Sequence, residues 1–231
     1  MTRRELAGMI DHTFLKPDGD GNAVKDLCRE VAEFGFACAM VHPCEVKNAV
    51  RFLRGTGCRV GTVIGFPLGQ NTAKTKAAEA AEAVKNGARD VDFVFNRRLL
   101  KAAAAGNGTA QKELARELEA LAEVKACAEG VVAKIILECC ELTDDEKIVA
   151  CVAAKEAGFD FVKTSTGFGR GGATAEDVRL MREAVGPAMG VKAAGGIRDW
   201  ETARALLAAG ANRLGCSAGV KILQECDGIR A

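Results

Sequence analysis

Two lysines end short apolar segments of the chain and begin turns that are rich in glycine. Lys163 lies in the run FVKTSTG at 161–167, and Lys192 lies in GVKAAGG at 190–196. A lysine amine attacks carbonyl carbon only when burial or a neighbouring cation lowers its pKa. The two lysines are about thirty residues apart, the length of one strand-helix unit, so adjacent parallel strands would bring them to one cavity. The pair predicts Schiff-base chemistry at Lys163.

Alternation within two further apolar segments places charged side chains on one face. In the segment 90–95, Asp90 and Asp92 face the same way, and in the segment 133–138 Lys134 and Glu138 do so. The inner positions of an ordinary barrel are filled by Val, Ile and Leu. If these faces point into a barrel, its interior is charged, with Asp92, Lys134 and Glu138 meeting the two lysines.

Each of these groups has a chemical role that fits its type. Lys192 would lower the pKa of Lys163 by charge repulsion across neighbouring strands. Asp92, kept ionised by nearby ammonium groups, would accept a proton from a substrate hydroxyl directly or through a water. Lys134 would hold Asp92 in place. The alternative is an internal salt-bridge network without a catalytic role, since structural networks also perturb pKa values.

The positions of these residues depend on an eightfold alternation of strands and helices. Amphipathic stretches such as 72–86 and 111–129 separate the apolar segments, and Thr143 with Glu146 forms a capping box before another helix. This pattern fits a closed barrel or a doubly wound open sheet, and the inward charges favour the barrel. We expect one (β/α)8 TIM barrel over residues 1–231, with strands at 9–14, 37–42, 59–64, 90–95, 133–138, 161–164, 191–194 and 213–216.

Small residues follow the last two predicted strands. Gly195 and Gly196 follow strand seven, and Ser217 follows strand eight. Barrels commonly bind phosphate at these two loops, where backbone N–H groups can approach an anion. Gly167, after strand six, would close the same side. The turns predict a phosphate ester as substrate, although glycines also simply end strands.

A dinucleotide-binding site is a competing interpretation of the glycines. Gly167, Gly169 and Gly172 have the spacing of the dinucleotide fingerprint. They follow the sixth strand rather than the first, and a clear acidic residue about twenty positions further on is missing. The chain also lacks the GxxxxGK[ST] pattern of nucleotide-binding loops. The sequence therefore favours lysine chemistry.

Composition limits the partners and the compartment. The 32 basic and 31 acidic residues leave no net field for nucleic acid, and no apolar run is long enough to span a membrane. The chain has ten cysteines, of which Cys28, Cys38, Cys58, Cys127 and Cys151 lie singly in apolar segments; it has no CxxC pair and only two histidines. We expect a small-molecule substrate, reduced thiols, no bound metal and a cytoplasmic protein. A homo-oligomer such as a dimer is compatible with the sequence, which does not set the oligomeric state.

Seven motifs resemble the deoxyribose-phosphate aldolase family of class I aldolases, nearly from end to end. The two lysine motifs in this order are the most specific of them. The motifs are IDHTFLKP at 10–17, GTVIGFPLG at 61–69, VDFVFN at 91–96, KIILE at 134–138, FVKTSTGF at 161–168, VKAAGGIR at 191–198 and RLGCSAG at 213–219.

The resemblance implies a (β/α)8 barrel that cleaves 2-deoxy-D-ribose 5-phosphate to D-glyceraldehyde 3-phosphate and acetaldehyde without a cofactor. It implies that Lys163 forms the Schiff base, that Lys192 lowers its pKa and that Asp92 transfers protons. The remaining residues that match family positions are expected to bind substrate: Gly167, Gly195, Gly196 and Ser217 at the phosphate, and Asp11 and Thr13 near the hydroxyls. A ketose-phosphate or transaldolase-like enzyme and a catalytically silent sugar-phosphate-binding barrel are the alternatives.

Three features depart from the family pattern. His42, in the second strand, is a candidate replacement for a polar lining residue, and Arg97 and Arg98 are expected to be solvated on the rim. Some relatives have a tyrosine near the carboxyl terminus that assists proton transfer. This chain contains no tyrosine, so we expect slower turnover, which a tyrosine added to the tail should raise.

Overall fold

Eight parallel strands close into a barrel in the order in which they occur along the chain. The structure is a computed structural model that describes residues 1–19 and 21–228. The predicted (β/α)8 barrel is confirmed, because each strand is followed by at least one helix. The strands are β1 (Ile10–Thr13), β2 (Cys38–Val41), β3 (Arg59–Ile64), β4 (Asp90–Val94), β5 (Val132–Ile136), β6 (Phe161–Lys163), β7 (Gly190–Ala194) and β8 (Arg213–Cys216).

One helix precedes β1, and the others surround the barrel. They are α1 (Arg3–Ala7), α2 (Ala23–Phe34), α3 (Val46–Phe52), α4 (Ala73–Lys85), α5 (Arg97–Ala104), α6 (Gly108–Ala122), α7 (Asp144–Glu156), α8 (Ala175–Val185), α9 (Trp200–Ala208) and α10 (Gly219–Gly228). Three short 3₁₀ helices lie at Pro43–Glu45, Glu123–Cys127 and Cys139–Glu141.

Capping side chains determine where several helices begin. Thr143 accepts a hydrogen bond from the backbone N–H of Glu146, whose carboxylate accepts one from the backbone N–H of Thr143, so the predicted capping box is confirmed. Thr72 caps α4 in a similar way. The predicted helix 111–129 is shifted, since α6 begins at Gly108 and becomes a 3₁₀ helix at Glu123.

Successive side chains of β4 and β5 point alternately to the barrel interior and to the outer helices, as predicted. Val91, Phe93 and Ile135 belong to the main apolar core, which packs between the strands and the outer helices. A separate apolar cluster, made by Leu15, Cys38, Met40 and Val63 with Phe66 against it, includes side chains of β2 and β3. The barrel interior is thus apolar beside β2 and β3 and charged beside β4 to β7, and Asp11 of β1 and Arg213 of β8 complete the charged side.

The prediction for the end of the fifth strand is wrong. We expected it to extend through Glu138 with that side chain among the inner charges, but β5 ends at Ile136. Glu138 has left-handed backbone angles (φ 61°, ψ 62°), and its carboxylate binds Thr166. A left-handed residue interrupts the alternation of a strand, and so the parity of β5 does not extend to Glu138.

Two features of the described residues bear on the expected partners. No helix within residues 1–19 and 21–228 has the length and apolar character needed to cross a bilayer. In the same residues, no three His, Cys, Asp or Glu side chains are grouped in a way that could hold a metal ion. The end of the tail, to which the tyrosine prediction refers, lies at 229–231 and outside the described residues.

Candidate active site

A cavity of about 400 Å³ opens where the strands β1, β6, β7 and β8 end. This is the carboxyl end of the barrel, where barrel enzymes hold their active sites. Six of the predicted site residues line it: Thr13, Lys163, Gly167, Gly195, Gly196 and Ser217. A second cavity of about 400 Å³, between α6 and α7, has mainly apolar walls and contains none of the predicted site residues.

Two lysine amines bind a single carboxylate oxygen below this cavity. Lys163 and Lys192 are register partners on β6 and β7, so the two strands are neighbours as predicted. Oδ2 of Asp92 lies 2.9 Å from Nζ of Lys163 and 2.8 Å from Nζ of Lys192. Lys163 is 3% exposed, whereas Asp92 and Lys192 are completely buried. Only Lys163 of the three lines the cavity, so a substrate would reach its amine first.

A second layer of charges lies deeper in the barrel. Nζ of Lys134 is 3.1 Å from Asp92 and 2.5 Å from Asp90. Nζ of Lys192 is 2.5 Å from Asp11, which also pairs with Arg213 at 2.9 Å. Burial of a charge is costly unless the charge is paired, and each of these groups has a partner of opposite sign. The predicted support of Asp92 by Lys134 agrees with this contact.

The environment of Lys163 favours a reactive amine. Burial lowers its pKa, the carboxylate of Asp92 opposes this effect and the positive charge of Lys192 adds to it, so that the pKa falls from an ordinary value of 10.5 to about 8. At neutral pH about a tenth of an amine with a pKa of 8 is uncharged, whereas an ordinary lysine is almost completely protonated. The charge of Lys192 acts on this pKa in the predicted direction, burial is the larger cause, and the catalytic role of Lys192 stays a prediction.

The other charged groups near Lys163 remain ionised. Burial by itself would raise the pKa of Asp92, but the ammonium groups of Lys134, Lys163 and Lys192 lower it well below the usual range. Burial by itself would lower the pKa of Lys192, but the carboxylates of Asp11 and Asp92 raise it. At neutral pH Asp92 is therefore an ionised carboxylate and Lys192 is an ammonium group, whereas Lys163 is close to its pKa.

Two small structural features hold the lysines in place. Gly215 leaves room for Lys192, since a Cβ atom at this position would lie 3.0 Å from Cε of Lys192. Thr164 joins the ends of β6 and β7, because its hydroxyl donates to the carbonyl of Ala194 at 3.1 Å and accepts from the N–H of Ala194 at 3.0 Å. The two lysine-bearing strands are thus joined directly above the amines.

The turns around the cavity have the features expected of an anion site. Gly167, Gly195 and Gly196 all have positive φ angles, which suit glycine, and Ser217 is exposed beside them. Two cationic residues, Lys16 and Arg198, also line the cavity and are exposed. Neither residue was predicted to belong to the site. The sequence feature that could have identified them is a basic residue near the end of each motif that begins in β1 and in β7.

Two phenylalanine rings lie near the entrance, and His42 does not have its predicted position. Phe168, half exposed, meets the ring of Phe66 edge-on at 5.3 Å. His42 is not among the described residues that line the cavity, and its ring binds the carbonyl of Leu15 at 2.9 Å. Its expected role as a lining residue is therefore not supported, since the ring is held by that carbonyl.

The two arginines after β4 differ from each other. Arg98 is exposed, as expected for a residue on the rim. Arg97 is only 23% exposed, and its guanidinium lies 4.0 Å from the carboxylate of Glu138. Arg97 is therefore not a simply solvated side chain, because α5 begins with its first residue directed toward the end of β5.

Asp11 lies in a different place from Thr13. Thr13 lines the cavity, and its hydroxyl donates to the carbonyl of Asp11 at 2.8 Å. Asp11 is completely buried beneath the cavity, where burial would raise its pKa but Lys192, Lys134 and Arg213 lower it to about 2. The predicted contact of Asp11 with substrate stays untested, and the structure brings its carboxylate to Lys192.

Comparisons with known proteins identify the family of this chain. A family model described as "DeoC/LacD family aldolase" matches residues 6–225. The chain belongs to this family of aldolases. This aldolase is 52% identical over 220 residues to a Caldanaerobacter subterraneus subsp. tengcongensis protein named deoxyribose-phosphate aldolase, covering 95% of the chain and 93% of the relative.

Solved structures confirm the fold of this aldolase. A crystal structure of a protein from Coccidioides immitis matches with a TM-score of 0.89 and 39% identity, over 98% of this chain and 87% of that one. A deoxyribose phosphate aldolase from Aeropyrum pernix, described as having a unique tetrameric structure, matches with a TM-score of 0.87 and 31% identity, over 99% and 93% of the two chains.

Proposed function

We propose that this aldolase reversibly cleaves 2-deoxy-D-ribose 5-phosphate to D-glyceraldehyde 3-phosphate and acetaldehyde. The observation that carries the proposal is the Lys163 amine, with a pKa near 8, at the base of a cavity whose turns suit an anion. The name of the Caldanaerobacter relative supports this choice of substrate. No cofactor enters the proposed reaction, because the lysine itself provides the electron sink.

The first steps take place at Lys163. Its uncharged amine attacks the aldehyde carbon of the open-chain sugar, and loss of water gives an iminium ion. The bond between C2 and C3 then breaks, and its electron pair moves into the iminium while the C3 hydroxyl loses a proton. D-Glyceraldehyde 3-phosphate leaves, and an enamine of acetaldehyde remains on the lysine. Protonation at C2 and hydrolysis release acetaldehyde and regenerate the amine.

Asp92 and Lys192 have different tasks in this scheme. Asp92 is ionised at neutral pH, and so it can accept the proton of the C3 hydroxyl. Because Asp92 is buried beneath Lys163, we propose that a water carries this proton. Lys192 retains its proton and acts through its charge, which favours the neutral form of Lys163. Asp11 helps to keep Lys192 charged.

The phosphate group of the substrate is proposed to bind at the glycine-rich turns. We propose that Gly167, Gly195, Gly196 and Ser217 bind it through backbone N–H groups and a hydroxyl. The exposed cations Lys16 and Arg198 add charge at the same mouth of the cavity. Thr13 lines the wall near the proposed path of the sugar hydroxyls.

Several wider expectations remain proposals. We propose a single catalytic domain over residues 1–231 and a homo-oligomer, with a dimer as the simplest form, which sedimentation equilibrium would test. The Aeropyrum relative is described as tetrameric, which supports assembly but not the number of subunits. A cytoplasmic location fits the ten unpaired cysteine thiols, because reducing compartments keep thiols free.

Borohydride trapping tests the proposed chemistry. The protein is reduced in the presence of acetaldehyde, and peptide mass spectrometry identifies the lysine that has gained an ethyl group. We expect an adduct at Lys163, no adduct there in Lys163→Met, and full labelling in a control with the exposed Lys25 replaced by Met. An absent adduct, or one spread over surface lysines, would refute the Schiff base.

A substrate comparison tests the proposed specificity. Cleavage of 2-deoxyribose 5-phosphate is measured beside cleavage of ketose phosphates at equal concentration. We expect the deoxyribose ester to be preferred. If a ketose phosphate is preferred and the adduct still forms at Lys163, the Schiff-base mechanism is supported but the proposed substrate is wrong. The protein would then be a lysine-dependent aldolase that acts on a ketose phosphate.

A further inference from the structure

Glu138 has an unusual backbone conformation for a glutamate. Among the residues that the structure describes, it is the only non-glycine with a positive φ angle (φ 61°, ψ 62°). Glycine adopts this left-handed conformation without the steric cost that a Cβ atom brings. A bulky residue remains in such a conformation only when the surrounding contacts hold it there, and these residues cluster at functional sites. The contacts of this side chain therefore indicate its role.

The carboxylate of Glu138 is directed into the loop that follows Lys163. It is almost completely buried, and its two oxygens lie 3.3 and 3.4 Å from the backbone N–H of Thr166. The hydroxyl of Thr166 donates a short hydrogen bond to the same carboxylate and accepts another from the N–H of Phe168 at 3.1 Å. A chain of hydrogen bonds thus fixes the backbone from Thr166 to Phe168.

Packing brings the next residue of the loop against the same carboxylate. A Cβ atom on Gly169 would lie 3.0 Å from Cδ and 3.1 Å from Oε1 of Glu138, so the loop backbone touches the carboxyl group directly. Arg97 supplies a positive charge 4.0 Å away. The buried carboxylate therefore has donors from the loop and a cation from the start of α5.

The opposite side of this loop forms part of the active-site wall. Thr166, Gly167 and Phe168 line the cavity together with Lys163, whereas Glu138 is not among the described residues that line it. Glu138 can thus affect a substrate only through the loop. Gly167, the proposed phosphate contact, lies between the two residues that the hydrogen-bond chain fixes.

We propose that Glu138 is a positioning residue that holds the loop 166–169 in the shape that binds phosphate, and so sets the preference for phosphorylated over unphosphorylated sugars. The inference rests on the proposed function and deepens it. Hydrogen bonds to a charged group are among the stronger ones in proteins, so their loss should release the loop. The reacting groups Lys163, Asp92 and Lys192 do not depend on these bonds.

Replacing Glu138 with glycine tests the role of its carboxylate. Glu138→Gly removes the carboxylate and also suits the left-handed backbone, so the barrel should remain folded. We expect the KM for 2-deoxyribose 5-phosphate to rise about tenfold with kcat changed less than about twofold, the magnitude of one charged hydrogen bond. The kcat/KM for unphosphorylated 2-deoxyribose should stay unchanged. Glu138→Gln retains an acceptor for Thr166 and should restore most of the affinity.

Two further variants separate positioning from general loss of structure. Thr166→Val removes the hydroxyl from the other end of the hydrogen-bond chain and should reproduce the rise in KM. Glu141→Gln is the matched control, because Glu141 pairs at 2.9 Å with the exposed Arg170 of the same stretch, and we expect no change. Equal losses on both sugars, the same effect in Glu141→Gln, or an unchanged KM in Glu138→Gly would overturn the proposal.

A binding measurement tests the role of Glu138 in the loop separately from the proposed cleavage reaction. Calorimetric titration with inorganic phosphate requires no turnover, and we expect Glu138→Gly to bind it about tenfold more weakly than the unaltered protein. If the protein does not cleave 2-deoxyribose 5-phosphate but this weakening is found, the proposed function fails and the loop role stands. If cleavage is found and phosphate affinity is unchanged, the loop role fails alone.

Discussion

Lys163 and Lys192 are paired in the parallel register of β6 and β7, and both amines bind Oδ2 of Asp92. Only Lys163 reaches the cavity, although the two residues are of the same type and occupy equivalent strand positions. Both amines are buried, and the number of carboxylates around each one accounts for their opposite pKa directions. Lys192 has two carboxylates around its amine, whereas burial outweighs the single carboxylate beside Lys163.

Removing the charge of Lys192 should move the activity to higher pH. Lys192→Leu takes away a cation that lowers the pKa of Lys163, so that pKa should rise above about 8. The fraction of uncharged amine at pH 7 then falls. The measurement is the pH profile of kcat/KM, with Lys192→Met as a second neutral variant. A profile that does not move in either variant would mean that burial alone tunes the amine.

Replacing Asp92 should separate imine formation from turnover. Asp92 raises the pKa of Lys163, so Asp92→Asn should lower that pKa and leave borohydride trapping with acetaldehyde intact at pH 7. Cleavage should slow by about a hundredfold or more, because a proton acceptor has been lost. Loss of trapping in this variant would instead assign Asp92 to an earlier step, before the imine.

The reactive lysine should reduce the stability of the fold. Below pH 8 the folded protein carries a buried ammonium whose pKa is lower than that of an unfolded lysine. Lys163→Met should therefore stabilise the protein at pH 7 by on the order of 1–3 kcal/mol. Because the unfolded state binds more protons between pH 8 and about 10.4, the stability of the original protein rises there and the advantage shrinks. Urea unfolding at pH 7 and pH 9.5, with Lys25→Met as control, measures both values.

A methyl group at Gly215 should disturb Lys192. The Cβ atom of Gly215→Ala would lie 3.0 Å from Cε of Lys192 and 3.1 Å from Cβ of Ala194. We expect a loss of about 1–3 kcal/mol in the free energy of unfolding and slower cleavage. Gly108→Ala, at the start of α6 with open space around it, is the control that should lower neither quantity, because alanine suits a helix better than glycine. Normal activity in Gly215→Ala would show that Lys192 tolerates displacement.

Most of the fold follows from local patterns that sequence alone makes visible. All eight strands lie within two residues of their predicted bounds at either end, because apolar runs and helix caps are local signals. The alternation in β4 correctly assigned Asp90 and Asp92 to the interior, where both meet Lys134. The parity rule failed at Glu138, since it holds only while the backbone remains extended.

The sequence by itself predicted the barrel, which the structure confirms, and singled out Lys163 and Lys192 as candidate reactive residues, because both inferences depend on residue type and spacing along the chain. Only the tertiary structure decided the partners of these residues. The pairing of Asp11 with Lys192 joins residues 181 positions apart, which meet because β8 closes against β1. Depth below the cavity, and with it the pKa of each amine, is likewise a property of the closed barrel, since burial is produced by the whole fold and not by any one segment.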